Sequence, residues 1–158
     1  MTNLSVNFSV PLVPQPTAVS CWAAALTMVV SNRDQASYAP QTIGEGASMD
    51  MDTGYGWSEI SNAVSAWHLS TEGPVSAFPS YWAGLLESHG PIWIVEVGAP
   101  YHAVVVVGIN GDGTAEGTTV TLNNPWPPNA GVVETKSFLA FDNEFGLGAG
   151  ASAQIVHQ

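Results

Sequence analysis

The chain has 158 residues, 46% of them hydrophobic and 9% charged, a makeup that predicts one domain over 1–158 with a sizeable core and excludes an intrinsically disordered chain. Two basic residues, Arg33 and Lys136, face thirteen carboxylates, for a formal net charge of -11. No cationic patch can form to neutralise a phosphate backbone or an anionic bilayer, so nucleic-acid and membrane partners are excluded.

Residues 1–14 carry neither a basic n-region nor a continuous apolar h-region, so no Sec-type signal peptide is read here. The longest apolar stretches, Cys21 to Val30 and Ala103 to Val107, fall far short of the ~20 residues of a membrane helix, and a soluble protein is expected. Trp22, Leu26 and Val29 at helical spacing, with three consecutive alanines, predict a helix from Ser20 to about Val30 with Cys21 in its first turn. The Gly-, Ser-, Asp- and Met-rich stretch from Asp34 to Tyr55 reads as loop with at most a short helix, and Met49 and Met51 as part of a flexible surface.

A second helix is predicted from Ser58 to His68, capped by Asp52 or Ser58, and a third from Ser80 to Ser88, preceded by Pro79 and stopped by Gly90. After Pro91 the pattern turns to β-branched strands at Ile92–Val97, His102–Ile109 and Gly117–Asn123, with Asn110 to Gly113 as the last turn. The unbroken Val104–Val107 run implies a strand covered on both faces. Helices followed by an antiparallel sheet give an α+β class.

Cys21 is the single cysteine, so an internal disulfide or a thiolate zinc cluster is ruled out. Alone it would read as a small buried hydrophobe. At a helix N-terminus, however, free N–H groups and the helix dipole favour thiolate. Gln15, six residues earlier, is placed to join the Cys21 backbone N–H around an oxyanion. A thiol nucleophile also needs an imidazole, and His102 opens the valine strand after the Gly98-Ala99-Pro100 loop. Asn124, at the end of the neighbouring strand, is the candidate to orient that ring, with Trp126 shielding the bond from water. Asn123 is the competitor, which alternation turns to the other face. The plainer readings are a strand histidine with a structural hydrogen bond and a strand terminator at Asn123–Pro128.

Three segments, QPTAVSCW over Gln15–Trp22, YHAVVVVG over Tyr101–Gly108 and NPWP over Asn124–Pro127, together resemble the papain-like cysteine peptidases, in particular the small bacterial branch of AvrRpt2-like effectors and C39-like domains. The similarity runs from Val13 to about Phe145. It implies a papain-like fold, with an N-terminal helical half carrying the nucleophile on its central helix and a C-terminal antiparallel sheet half. By the same resemblance Cys21 is the nucleophile, His102 the base and acid, Asn124 the orienting group and Gln15 the oxyanion donor. Cys21 and His102 stand 81 residues apart, against about 130 in the cathepsin branch, so this would be a minimal version. Relatives in the small branch often carry Asp where Asn124 stands; an amide still fixes the imidazole tautomer.

Trp22, Tyr55, Trp57 and Trp126 are the candidate aromatic walls of a peptide cleft, whereas Trp67, Trp82 and Trp93 read as core. His68, His89 and His157 are not expected to be catalytic: His89 sits at a helix C-terminus and His157 in a mobile tail. No metal site is read from them, because no pair has ligand spacing, and no cofactor is implied. The Asp112 segment lacks the acid pattern of a calcium loop and reads as a turn.

The expected activity is a thiol protease acting on a protein or peptide through an acyl-enzyme. The family analogy extends this to a bacterial effector or toxin domain, delivered to a recipient cell by a specialised secretion system and restrained by a cognate immunity protein. The same residues would also serve a deamidase, a transglutaminase or a cell-wall amidase. The non-enzymatic alternative is a silent C39-like peptide-binding module.

Overall fold

The computed structural model describes residues 2–73, 78–96, 101–145 and 153–158. In chain order its elements are β1 (Leu4–Asn7), α1 (Cys21–Asp34), α2 (Pro40–Gly46), α3 (Trp57–Ala66), β2 (Ser70–Glu72), α4 (Pro79–His89), β3 (Ile92–Glu96), β4 (His102–Gly111), β5 (Thr118–Asn124), β6 (Val132–Ser137), α5 (Phe138–Phe145) and β7 (Ala153–His157). The strands form an antiparallel sheet in the order β2-β7-β3-β4-β5-β6. β1 pairs the far half of β4, from Leu4 opposite Gly111 to Asn7 opposite Gly108, beyond the point where β3 begins with Ile92 opposite Val106.

The valine run of β4 lies at the centre and is buried on both faces, as its composition predicts. Ala103, Val105 and Val107 pack with α1, against Trp22, Leu26 and Val29. Val104 and Val106 face the opposite way, with Trp82 and Leu86 of α4 and Phe138 and Phe141 of α5. A bulge in the β4–β5 register between Val106 and Gly108 inserts one residue and resets the alternation, so Ile109 joins the second cluster rather than the first.

Helix α1 starts at Cys21 and runs to Asp34, four residues past the apolar stretch. Its last turn is held by Arg33, which pairs with Asp34 at 2.6 Å and donates to the Trp67 carbonyl. Gln35 then takes a left-handed conformation and ends the helix. The expected short helix of the following loop is α2, but the methionines are not a mobile surface. Met51 is buried and Met49 packs on the α1 cluster, because the loop closes the outer side of that core.

Neither Asp52 nor Ser58 caps α3. Gly56 occupies the cap position, and the Glu59 carboxylate accepts its N–H at 2.7 Å; Ser58 is already helical and bonds Glu59. Strand β4 continues through Gly111, so the turn is displaced to Asp112–Gly117, where the Asp112 carboxylate accepts the Thr114 N–H at 2.8 Å. The end of the first predicted strand at Val97 and the Gly98-Ala99-Pro100 loop lie outside the described residues. His157 is not in a loose tail. It is buried in β7 between β2 and β3, reaches Glu72 at 3.2 Å and stacks on His89 with centroids 3.8 Å apart.

Candidate active site

The N-terminus of α1 abuts the first residues of β4, and that junction brings the sequence-predicted chemistry together. A cavity of about 380 Å³ is lined by Gln15, Cys21, Glu96, His102, Trp126 and Glu144, among others. On the other side of Cys21 a second cavity, about 550 Å³, is walled by Val19, Tyr55, Glu59 and Tyr101 with Gly54 and Gly56. Ala18, Cys21 and Tyr101 border both, so Cys21 stands between the two cavities.

Alternation along the paired strands sets His102 in step with Val104 and Asn124 in step with Leu122. The His102 Nε2 atom is 3.0 Å from the Asn124 Oδ1. That amide oxygen also accepts the Trp126 N–H at 3.0 Å, while the Asn124 Nδ2 donates to Glu134 Oε1 at 2.7 Å. An oxygen facing His102 requires the hydrogen on Nε2, which leaves the Nδ1 lone pair unclaimed by this contact. Asn123 points the other way and donates to the Val10 carbonyl at 2.9 Å, as alternation predicts.

Burial sets the protonation states. It pushes the Cys21 thiol above its ordinary range, outweighing hydrogen bonds from the Ala103, Trp22 and Cys21 amides and the influence of the neighbouring Tyr55 hydroxyl. Cys21 does open α1, where the helix N-terminus favours thiolate, and desolvation acts against it. Burial likewise holds His102 below 6.5, opposed by the Asn124 bond and the charges of Glu134 and Glu144. Both shifts favour the neutral thiol and the neutral imidazole. Tyr55, whose hydroxyl donates to the Glu96 carbonyl at 2.8 Å, is held strongly protonated by burial and by its neighbour Cys21.

Gln15 is buried and shares the His102 cavity; its Nε2 donates to the Thr17 carbonyl at 2.7 Å, and its Oε1 has no partner among the described residues. Of the four aromatic wall candidates, Tyr55 and Trp126 line the cleft, Trp126 with half its surface free. Trp22 does not. It is 0% exposed and belongs to the core under α1, because a helix side chain one step past Cys21 turns into the sheet. Trp57 is exposed at the start of α3 but is not among the residues lining either cavity. Trp82 and Trp93 are core as predicted, and Trp67 is half-buried with its Nε1 donating to the Ile43 carbonyl.

Glu96, Tyr101, Glu134 and Glu144 were not legible as site residues. Each reaches the cleft or the His102 network through strand pairing or α5 docking, and only the position of Tyr101 beside His102 is a local signal. Burial, then the charge of Glu144, raises the Glu96 carboxyl. Among the described residues no three His, Cys, Asp or Glu side chains cluster as metal ligands, and no helix is long and apolar enough to cross a membrane.

A family model described as papain-like cysteine protease AvrRpt2 matches residues 3–143. No curated relative matches the sequence. Among solved structures, the peptidase domain of Streptococcus ComA, a bifunctional ABC transporter involved in a quorum-sensing pathway, is similar with a TM-score of 0.56 and 19% identity, covering 94% of this chain and 98% of that one. UfSP from C. elegans is similar with a TM-score of 0.56 and 14% identity, covering 99% of this chain and 34% of that one. At these identities the likeness is one of fold, and that fold is the papain-like one.

Proposed function

The chain belongs to the AvrRpt2 family of papain-like cysteine proteases, and from that premise we propose that it hydrolyses peptide bonds of a protein substrate through Cys21, His102 and Asn124, with Gln15 at the oxyanion. The observation that carries the reading is the single cavity lined by Cys21, His102 and Gln15, with His102 bonded to Asn124 at 3.0 Å. The one-domain reading of 1–158 goes with it.

With burial favouring the neutral thiol and imidazole, the proton moves during attack. The His102 Nδ1 takes it from the Cys21 thiol as sulfur adds to the scissile carbonyl carbon. Negative charge then develops on the carbonyl oxygen, where the Cys21 backbone N–H and the Gln15 N–H not used by Thr17 are the available donors. The imidazolium, supported through Nε2–H by the Asn124 oxygen, returns the proton to the leaving amine. The thioester left on Cys21 is hydrolysed by water, which His102 deprotonates in turn. Tyr55, Tyr101 and Trp126 offer apolar walls for an extended substrate, and Glu59, Glu96 and Glu144 give its rims an acidic character.

The test compares cells expressing wild type and Cys21→Ala. New protein N-termini in the wild type alone are expected; equal sets in both would remove the assignment, and a mass gain of about one unit without cleavage would replace it with deamidation. Action inside a recipient cell, restrained by an immunity protein, is the accompanying proposal from the family's effector character. Toxicity of cytosolic wild type but not Cys21→Ala supports it, and equal growth counts against it.

A further inference from the structure

We propose that Glu134 is a positioning residue: its carboxylate holds the Asn124 amide with the oxygen toward His102, leaving the other imidazole nitrogen free to take a proton. The proposal rests on the catalytic reading of Cys21 and His102. It starts from a weakness of that reading, since an asparagine amide has two ends of the same shape and opposite hydrogen-bonding sense. Turned over, Asn124 would present its NH2 to His102. The ring would then accept at Nε2 and carry its hydrogen on Nδ1, where no proton could be received.

Two contacts oppose that rotation. The Trp126 N–H donates to Oδ1 at 3.0 Å, and Glu134 Oε1 accepts from Nδ2 at 2.7 Å. After a flip, two donors would meet at Trp126 and two acceptors at Glu134. The second is the larger penalty, because one partner is ionised. Glu134 is itself fixed: β6 sets it opposite Leu122, one diagonal step from Asn124, and Lys136 Nζ lies 3.0 Å from its Oε2. Lys136 also pairs with Glu144, a residue of the cleft wall. Although burial opposes ionisation, the Asn124 amide and Lys136 hold the Glu134 carboxyl below its ordinary range.

The chain thus runs from the cleft through the edge strand and back to the cleft wall as His102, Asn124, Glu134, Lys136, Glu144. It places a carboxylate one residue behind the amide, where it supports an imidazolium without touching it. The other groups facing His102 are Cys21 of α1, Glu96 of β3, the adjoining Tyr101 and Glu144 of α5.

The test uses full-length protein labelled with 15N-histidine, with the His102 signals assigned by their loss in His102→Ala. Ring nitrogen shifts report the tautomer, and alkylation of the single cysteine by iodoacetamide, followed by mass, reports thiol activation. In the wild type His102 is expected as the Nε2–H tautomer. In Glu134→Gln, Lys136 attracts the new amide's oxygen and turns its NH2 toward Asn124. The Nδ1–H tautomer should then appear, and alkylation near pH 7 should slow roughly tenfold, less than the ~10²–10⁴ of a lost general base because part of the population keeps the productive tautomer. Lys136→Met should keep the Nε2–H tautomer and raise the His102 midpoint, whereas Glu134→Gln lowers it; loss of stability alone would not give opposite signs. Retention of the wild-type tautomer, or of the wild-type alkylation rate, in Glu134→Gln overturns the positioning role. If His102→Ala alkylates as fast as the wild type, the catalytic reading itself fails instead.

Discussion

His102 and His157 are both strand histidines with a side-chain acceptor in reach, and judged by partner chemistry His157 has the stronger claim. Its ring meets a carboxylate, Glu72, directly, stacks on His89 and is almost fully buried, whereas His102 meets a neutral amide. Yet His157 knits β2, β7 and the end of α4, and it lines neither cavity beside the thiol. His102 stands where β4 begins against the first turn of α1, with a cleft on both sides of the sulfur. An imidazole–acid pair is thus a structural device until a nucleophile and space for substrate are put beside it.

Breaking the first corner should be far costlier to activity than breaking the second. Cys21→Ala is expected to abolish proteolysis, read as loss of all wild-type-specific new N-termini. His102→Ala should reduce the rate of substrate cleavage by about 10²–10⁴-fold, the range of a lost general base, with thermal stability near the wild type. The corresponding change at the other corner, His157→Ala, should leave cleavage per folded molecule unchanged. It should instead lower unfolding stability by about 1–3 kcal/mol, since Glu72 and the Gln158 carbonyl lose a partner in a packed strand. Equal loss of activity at both histidines would erase the distinction.

A pH measurement sharpens it. Burial raises the Cys21 thiol and lowers His102, so the iodoacetamide rate should rise with a midpoint above the ~8.5 of a free thiol and fall back toward that value in denaturant. The sign for stability follows. A thiol that keeps its proton longer when folded contributes to the folded state below the free-thiol range, and that contribution is lost as pH rises through the folded value. A midpoint below 8.5 would instead indicate a preformed thiolate–imidazolium pair. The smallest expected effect is Trp57→Ala, an exposed side chain outside both cavities, with cleavage within twofold of the wild type. A larger loss would extend the cleft to the start of α3.

Much of this site was legible along the chain because its signals are local. Cys21 follows a short loop into an apolar helix, His102 opens a run that only a buried strand explains, and Asn124 ends the next strand in step with it. Misreadings occurred where a position's neighbours decide. Trp22 looked like a cleft wall from its place beside Cys21, but one helical step turns it into the core. His157 looked free because nothing adjacent in sequence explains a strand there; it pairs with Ser70 of β2, and its ring meets Glu72 and His89.

The order of polar residues and the period of apolar ones sufficed to determine the α+β class, the helix that carries the cysteine and the strand covered on both faces, since these depend on spacing within a few residues. Long-range pairing decided the rest. β1, β2, β6 and β7 are short segments whose hydrogen bonds go to distant strands, and the Glu134–Asn124 contact exists only because β6 pairs with β5. The same burial that assembles the cleft sets the charge of its thiol, a balance of desolvation against a few amides that no spacing of residues encodes.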